Sequence, residues 1–331
     1  MNYELLIFKL FIFFILQTIP IIEIFGQNYY YSRIFADRLQ SNPALCGSTI
    51  IPEININHQS TVFNSEILYS TYSFSVENYI NSLSGGLGFH LISSSQASGK
   101  IKFTTATGIY SYHTKIQKDT KLNYALSISY NRFDVNPEKL IFSDMIDPYS
   151  GTISSNTNEF QEKYNYQNIE FGASAAMYSK KIHCGISLKN ISNLFIKENI
   201  HNFPPQLLFY FGKEFIFTND NKIKNGKISI IPIIGFGTTQ KFGNIFTGNI
   251  VKKNNISFGT YFKTNFSLNS YSGTFFAEFE ISKKTAFSIA HERFFRNNET
   301  LSTGQYQISL RYKLPDNKKN STVGTIYCYP F

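Results

Sequence analysis

The chain has 331 residues and a formal net charge of +9; only 16% of its residues are charged, while 17% are aromatic, 33 Phe and 22 Tyr with no Trp. Soluble domains carry nearer a quarter of their residues charged, so a composition this poor in charge and rich in rings argues against an ordinary soluble domain. The basic residues fall in scattered pairs, Lys180-Lys181, Lys252-Lys253, Lys283-Lys284 and Lys318-Lys319, not in the one-sided stripe that binds nucleic acid, and no nucleic acid is expected as a partner.

Met1 to Lys9 is a short start with one Lys, Leu10 to Leu16 an unbroken apolar core, and a polar, Pro-containing stretch then ends Ile24-Phe25-Gly26-Gln27. That order is an export signal. Cleavage is expected after Gly26, which is small enough for the position before the cut, although Ile24 departs from the small-residue rule. Residues 1–26 are then a signal peptide. No Cys adjoins the cut to carry a lipid anchor, and no later run of 18 apolar residues suggests a transmembrane helix.

From about residue 70 to the end, after a first, weak strand near Ile51–Asn57, short segments alternate apolar and polar residues one at a time, the period of a strand. Alternation and turns predict about fourteen strands. They fall near Ile51–Asn57, Tyr69–Glu77, Gly86–Ser93, Lys100–His113, Lys121–Arg132, Gln167–Tyr178, Ile182–Lys189, Gln206–Phe217, Gly226–Gly237, Lys241–Val251, Asn255–Phe266, Gly273–Ser282, Thr285–Phe294 and Gly304–Lys313. Most approach the roughly 9–11 residues needed to cross a bilayer at a tilt. Leu122, Tyr124, Leu126, Ile128 and Tyr130 should share one face, toward lipid, with Ser127 on the other. Lys180-Lys181, Lys252–Asn254 and Lys283-Lys284 read as tight turns, whereas Asp134–Tyr166 and Asn190–Pro205 are long loops. Short turns on one side and long loops on the other, behind an export signal, indicate an all-β fold: a transmembrane antiparallel β-barrel of the bacterial outer membrane, in contact with its lipid. Residues 27–50 form an N-terminal segment, either a plug or the entry to the barrel. Both termini would be periplasmic, residues 314–331 forming a tail there. The connection at Thr238–Gln240 is short for the outer side, and Pro232 inside a strand predicts a bulge.

Chemistry-bearing motifs are missing. There is no Gly-x-Ser-x-Gly, His-Glu-x-x-His, P-loop or dinucleotide fingerprint. His58, His90, His113, His183 and His201 lack metal-ligand spacing, and His291 and Glu292 fall on opposite faces of a strand. No enzyme activity, cofactor or metal is expected. Of three cysteines, Cys184 lies in a predicted strand. Cys46 and Cys328 lie outside the strands near opposite ends of the chain. Export allows disulfides, and barrel closure brings the ends together, so a Cys46–Cys328 bridge is open to the chain; a free docking tail is the alternative.

Several segments carry a family resemblance. Gln27-Asn28-Tyr29-Tyr30-Tyr31 and Ser41-Asn42-Pro43-Ala44-Leu45-Cys46-Gly47-Ser48 resemble an aromatic-rich start and an Asn-Pro-Ala box. Gly85-Gly86-Leu87-Gly88-Phe89 is similar to a Gly-Gly-x-Gly strand opening, and Leu140-Ile141-Phe142-Ser143-Asp144 to a loop motif. The stretch Phe171 to Ser187 resembles a central hairpin, Gly304 to Tyr312 a closing strand, and Cys328-Tyr329-Pro330-Phe331 a Cys-Pro-Arg-Phe-like end. In this order they resemble the PorP/SprF family. Two motifs depart: an Arg-Asn-Gln-Trp patch appears only as Asn57-His58-Gln59-Ser60, and a Tyr-x-Tyr-Asp is replaced near Ala290-His291-Glu292. The resemblance implies an outer-membrane protein of the Bacteroidota, linked to type IX secretion and gliding motility. It further implies that the barrel assists export or surface attachment of large adhesins through their C-terminal domains, with periplasmic secretion components as further partners. Asn42, Pro43, Ala44 and Gly47 are the box residues to watch, as a turn that starts the barrel, or as a plug or docking site. The alternatives are a porin and a small hydrophobic-solute transporter of the fatty-acid type, for which residues 27–50 would be the plug.

Overall fold

The computed structural model describes residues 32–315, except 50, 64–65, 97–98, 118, 137–144, 147–163, 195–204, 218–227, 240–241, 266–269 and 297–298. Its strands are β1 (Glu53–Phe63), β2 (Glu66–Ile80), β3 (Gly85–Gln96), β4 (Ile101–Gln117), β5 (Thr120–Val135), β6 (Tyr164–Ser179), β7 (Ile182–Lys189), β8 (Gln206–Lys213), β9 (Phe215–Phe217), β10 (Ile228–Thr239), β11 (Phe242–Lys253), β12 (Ile256–Asn265), β13 (Ser270–Glu280), β14 (Thr285–Arg296) and β15 (Glu299–Lys313). Each pairs antiparallel with its neighbours, and β15 returns to β1 from Glu53↔Lys313 to Phe63↔Thr303, closing the sheet. Closure leaves no unpaired edge, the condition for a sheet in a membrane.

The fifteen segments make fourteen strands, because β8 and β9 are halves of one. Ile233↔Gly212 and Ile230↔Phe215 continue a single register on β10. The bulge expected at Pro232 is absent: β10 keeps register with β11 straight through Pro232↔Asn249. What Pro232 does is interrupt the ladder on its other side. It lacks an N–H, and opposite Ile231 and Pro232 the strand parts between Lys213 and Phe215. Glu214 turns to its other neighbour, donating its N–H to the Lys181 carbonyl at 2.6 Å.

The faces follow the alternation. On β5, Leu126 is 69% exposed and Tyr124, Ile128 and Tyr130 also face outward, whereas Ser127 is 8% exposed and Asn123 and Asn131 are buried. The outer surface is an apolar band with stacked rings such as Phe258 and Phe275, 6.4 Å apart; the inner surface is mainly Ser, Thr, Asn, Gln and Gly with a few paired charges, beside one apolar cluster that includes Leu208, Ile231, Ile233, Phe246, Tyr261 and Phe276.

The barrel has two distinct ends. At one, here the base, β1 begins and β15 ends, joined by Leu314 N–H donating to the Pro52 carbonyl at 2.8 Å. The base carries the turns 81–84, 180–181, 254–255 and 281–284; Asn254 takes a left-handed φ of 53°, as a two-residue hairpin requires. The opposite end, the mouth, carries connections 136–163 and 190–205. The remaining mouth connections are as short as the base turns, so the contrast in length rests on those two, and 218–227 is a longer connection at the base.

Candidate functional site: the filled lumen

Residues 32–49 lie inside the barrel, every one of them buried. Irregular backbone at this depth must find partners for its polar groups, and the wall supplies them. Ser32 N–H donates to Gln59 Oε1 at 2.8 Å and Arg33 N–H to Gln307 Oε1 at 2.9 Å. Asn55 Nδ2 donates to the Ala36 carbonyl at 2.6 Å. The Ala44 carbonyl accepts from Ser111 Oγ at 2.9 Å and Asn123 Nδ2 at 3.0 Å. Gly47 N–H donates to Glu77 Oε2 at 2.6 Å.

Two short turns shape the segment. Asp37 caps the one-turn helix α1 (Arg38–Ser41), its Oδ1 accepting from the Leu39 N–H at 3.1 Å and the Gln40 N–H at 3.4 Å. Asn42 caps a 3-10 turn over Pro43–Leu45, its Oδ1 accepting from the Ala44 N–H at 2.9 Å, while Pro43 fills a first position that needs no donor.

Charge fixes the segment to the wall on both sides of the β15–β1 seam. Arg38 Nη2 bridges Glu53 at 2.6 Å on β1 and Glu77 at 2.5 Å on β2. Arg33 Nη1 meets Glu278 at 2.5 Å on β13, whose other oxygen holds Arg311 at 2.8 Å. Asp37 Oδ2 lies 3.0 Å from His90 Nε2 and accepts from Ser73 Oγ at 3.1 Å. Lys189 donates to the Gln40 carbonyl. Lys263 Nζ donates to the Ser32 carbonyl at 3.0 Å and to both Glu292 oxygens at 3.1 Å. Charges so buried are tolerated only when paired. The segment also packs Phe35 edge-on to Tyr210, 4.9 Å between centroids, and Arg33 over Phe276 at 4.7 Å.

The motifs that the sequence offered separately meet here. A Cβ on Gly86 would fall 2.2 Å from the Cys46 carbonyl oxygen, one on Gly88 2.6 Å from Cys46 Sγ, and one on Gly47, at φ +70°, 2.6 Å from the Gly86 Cα. The Gly-Gly-x-Gly opening of β3 is therefore the bed on which Cys46 and Gly47 rest. In the central hairpin, the Ala175 carbonyl accepts from Asn42 Nδ2 at 3.1 Å, and a Cβ on Gly185 would fall 2.5 Å from that same nitrogen. Gln305 and Gln307 of the closing strand hold Ser32 and Arg33, and Gln59, in the patch that departs from the family pattern, holds Ser32.

Asn42, Pro43, Ala44 and Gly47 thus all face the inside of the barrel. Cys46 is buried and unbridged among the described residues. Cys328, the loop motif 140–144 and the tail 316–331 lie outside the described residues, so the Cys46–Cys328 bridge remains a proposal for peptide mapping. His291 faces away from Glu292, as expected, and packs against Tyr306 at 4.7 Å. The sequence reading missed the ionic contacts of Arg33, Asp37 and Arg38 with Glu53, Glu77, Glu278 and His90. A signal was present: acidic residues standing singly in the inward phase of strands, and basic ones in a segment with no strand period.

A closed antiparallel barrel, apolar outside, polar inside and crossed by its own N-terminal segment, defines an integral β-barrel of the outer membrane. The chain matches, over residues 24–312, the family described as type IX secretion system membrane protein PorP/SprF, and it belongs to that family. No curated protein matches it. Among solved structures it is similar to the CymD monoaromatic hydrocarbon channel, with TM-score 0.51 and 10% identity over 88% of this chain and 96% of that one. It is also similar to the Pseudomonas putida toluene transporter TodX, with TM-score 0.47 and 9% identity over 88% and 98%. At 10% identity the likeness to CymD carries the barrel fold alone.

Proposed function

We propose that the protein is a plugged platform of the type IX secretion system, assisting export or surface anchoring of partner proteins, large gliding adhesins among them, through their C-terminal domains. The observation that carries this reading is the filled lumen. Residues 32–49 are bonded to strands all round the barrel, so the wall's buried charges are used to hold the segment and not to line an aqueous path. A porin or a small hydrophobic-solute transporter would have to expel it and strand Glu53 and Glu77 without the Arg38 that bridges them. In this proposal the outer band contacts outer-membrane lipid, and the base faces the periplasm, where the C-terminal tail meets secretion components. The inner segment joins β1 on that side, and connections 136–163 and 190–205 are external.

Two measurements test it together. Purified protein in planar bilayers should show no steady conductance, and a variant lacking residues 32–49 should conduct if it assembles. Affinity purification from the native membrane should retain a large secreted protein, and retention should depend on that protein's C-terminal domain. A constitutively open wild-type channel that retains no such partner would replace the platform reading with the porin one.

A further inference from the structure

The plug does not fill the whole lumen. Toward the mouth, among β8 and β10 to β15, a cavity of about 270 Å³ remains. Its lining draws on the mouth-ward ends of these strands, and Ile34 of the inner segment contributes from the plug. The cavity is blind, since the buried residues 32–49 lie between it and the base. It is therefore a place to hold a molecule, not a route through the barrel.

Its chemistry is specific. Ile34, Leu208, Phe246 and Phe294 supply an apolar enclosure. The one charged pair in the lining is already compensated: Lys263 gives its protons to Glu292 and to the Ser32 carbonyl, and Ser272 Oγ donates to Glu292 at 2.5 Å. An ionic ligand would have to break this set. The half-buried Asn244 amide, by contrast, lines the cavity without a hydrogen-bond partner among the described residues. An amide in that state offers both a donor and an acceptor. A cavity of roughly 150 Å³ is enough for benzene, so this one has room for one or two fused rings.

We propose that this cavity binds a small neutral aromatic molecule bearing one hydrogen-bonding group, of the phenol or naphthol kind. The ring system lies against Phe246, Leu208 and Ile34, and the hydroxyl pairs with Asn244. Apolar pockets with one or two convergent polar groups are the ordinary form of small-molecule sites. The site is independent of the secretion role proposed above.

The test uses the full mature protein in detergent micelles and 2-naphthol as the fluorescent probe. The chain's lack of Trp keeps the protein background low. Wild type should bind 2-naphthol saturably with one site per barrel, and Gly237→Leu, which fills the cavity from β10, should lower the affinity at least tenfold. Asn244→Leu, which keeps the shape of the wall, should weaken 2-naphthol about tenfold and leave naphthalene unchanged, so the proposal stays testable if Gly237→Leu fails to assemble. Equal titrations of wild type and both variants would mean that the probe dissolves in the micelle or the outer band, and would overturn the proposal. Saturable binding that emerges only after deletion of residues 27–31 would assign the cavity to the chain's own N-terminus, and would overturn it equally.

Discussion

At the scale of single residues, Arg38 carries the greatest consequence. Among the described residues it is the only group in contact with both Glu53 and Glu77 through ionic bonds, at 2.6 and 2.5 Å. Arg38→Ala would leave two carboxylates buried together, which costs about 3–5 kcal/mol. The loss should appear as a lower urea midpoint of the purified protein. The triple variant Arg38→Met, Glu53→Gln, Glu77→Gln removes charge from both sides and should recover most of it; no recovery would mean that Arg38 matters for packing alone. Gly86→Ala is the sterically sharper change, because its Cβ meets backbone at 2.2 Å. The bed and the segment must then separate, and Cys46, shielded in wild type, should react with a maleimide. Gly273→Ala, with nothing within 4 Å of its Cβ, should leave Cys46 shielded. A Cys46 equally shielded in both variants would contradict the contact. These residues also mark how far the site was legible in the sequence. The Asn-Pro-Ala and Gly-Gly-x-Gly boxes stood out as motifs, but nothing in either named the other as its partner, since the contact joins a segment without regular period to a strand opening.

At the scale of elements, the alternating code was legible almost completely, because a period of two has a single physical cause, one wet or packed face and one apolar face. Strand β7 falls on Ile182–Lys189 as expected, and β5 has the expected inward and outward sets. The ends were less legible. Strand β1 runs to Phe63 and β15 starts at Glu299, because the hydrogen-bond ladder continues past the last clear apolar alternation. Pro232 is an obstacle, as its sequence position suggested, yet its effect depends on which neighbour would have received the missing N–H, and that is not in the sequence. For β5, Leu126→Arg should cost about 2–4 kcal/mol at mid-bilayer depth, whereas Ser129→Arg, on the inner face, should cost clearly less in the same refolding assay. Equal costs would mean that both faces are alike in their surroundings.

For the whole molecule, the orientation in the membrane is the main expectation to test. A cysteine placed at Ser155, in the 136–163 connection, should be labelled by an impermeant maleimide on intact cells. One placed at Lys180, in a base turn, should be labelled only after the outer membrane is opened. The reverse pattern would invert the barrel and put the base turns outside the cell. Outcomes at this scale are independent of the lumen contacts, which are the same whichever way the barrel points.

The threading of residues 32–49 also bears on the order in which the molecule can be made. Arg38 meets Glu53 and Glu77, only 15 and 39 residues away in the chain, whereas Arg33 meets Glu278 and Gln307 across 245 and 274 residues. Contacts close in sequence form sooner than distant ones. The first hairpin can therefore gather the segment early, and the last strands can then be laid round a core already in place before β15 seals against β1. A segment gathered in this way is in place when β15 pairs with β1, so the closed barrel need not admit it afterwards through an end: the seam can work as a clock, with the chain's beginning folded before its end finishes.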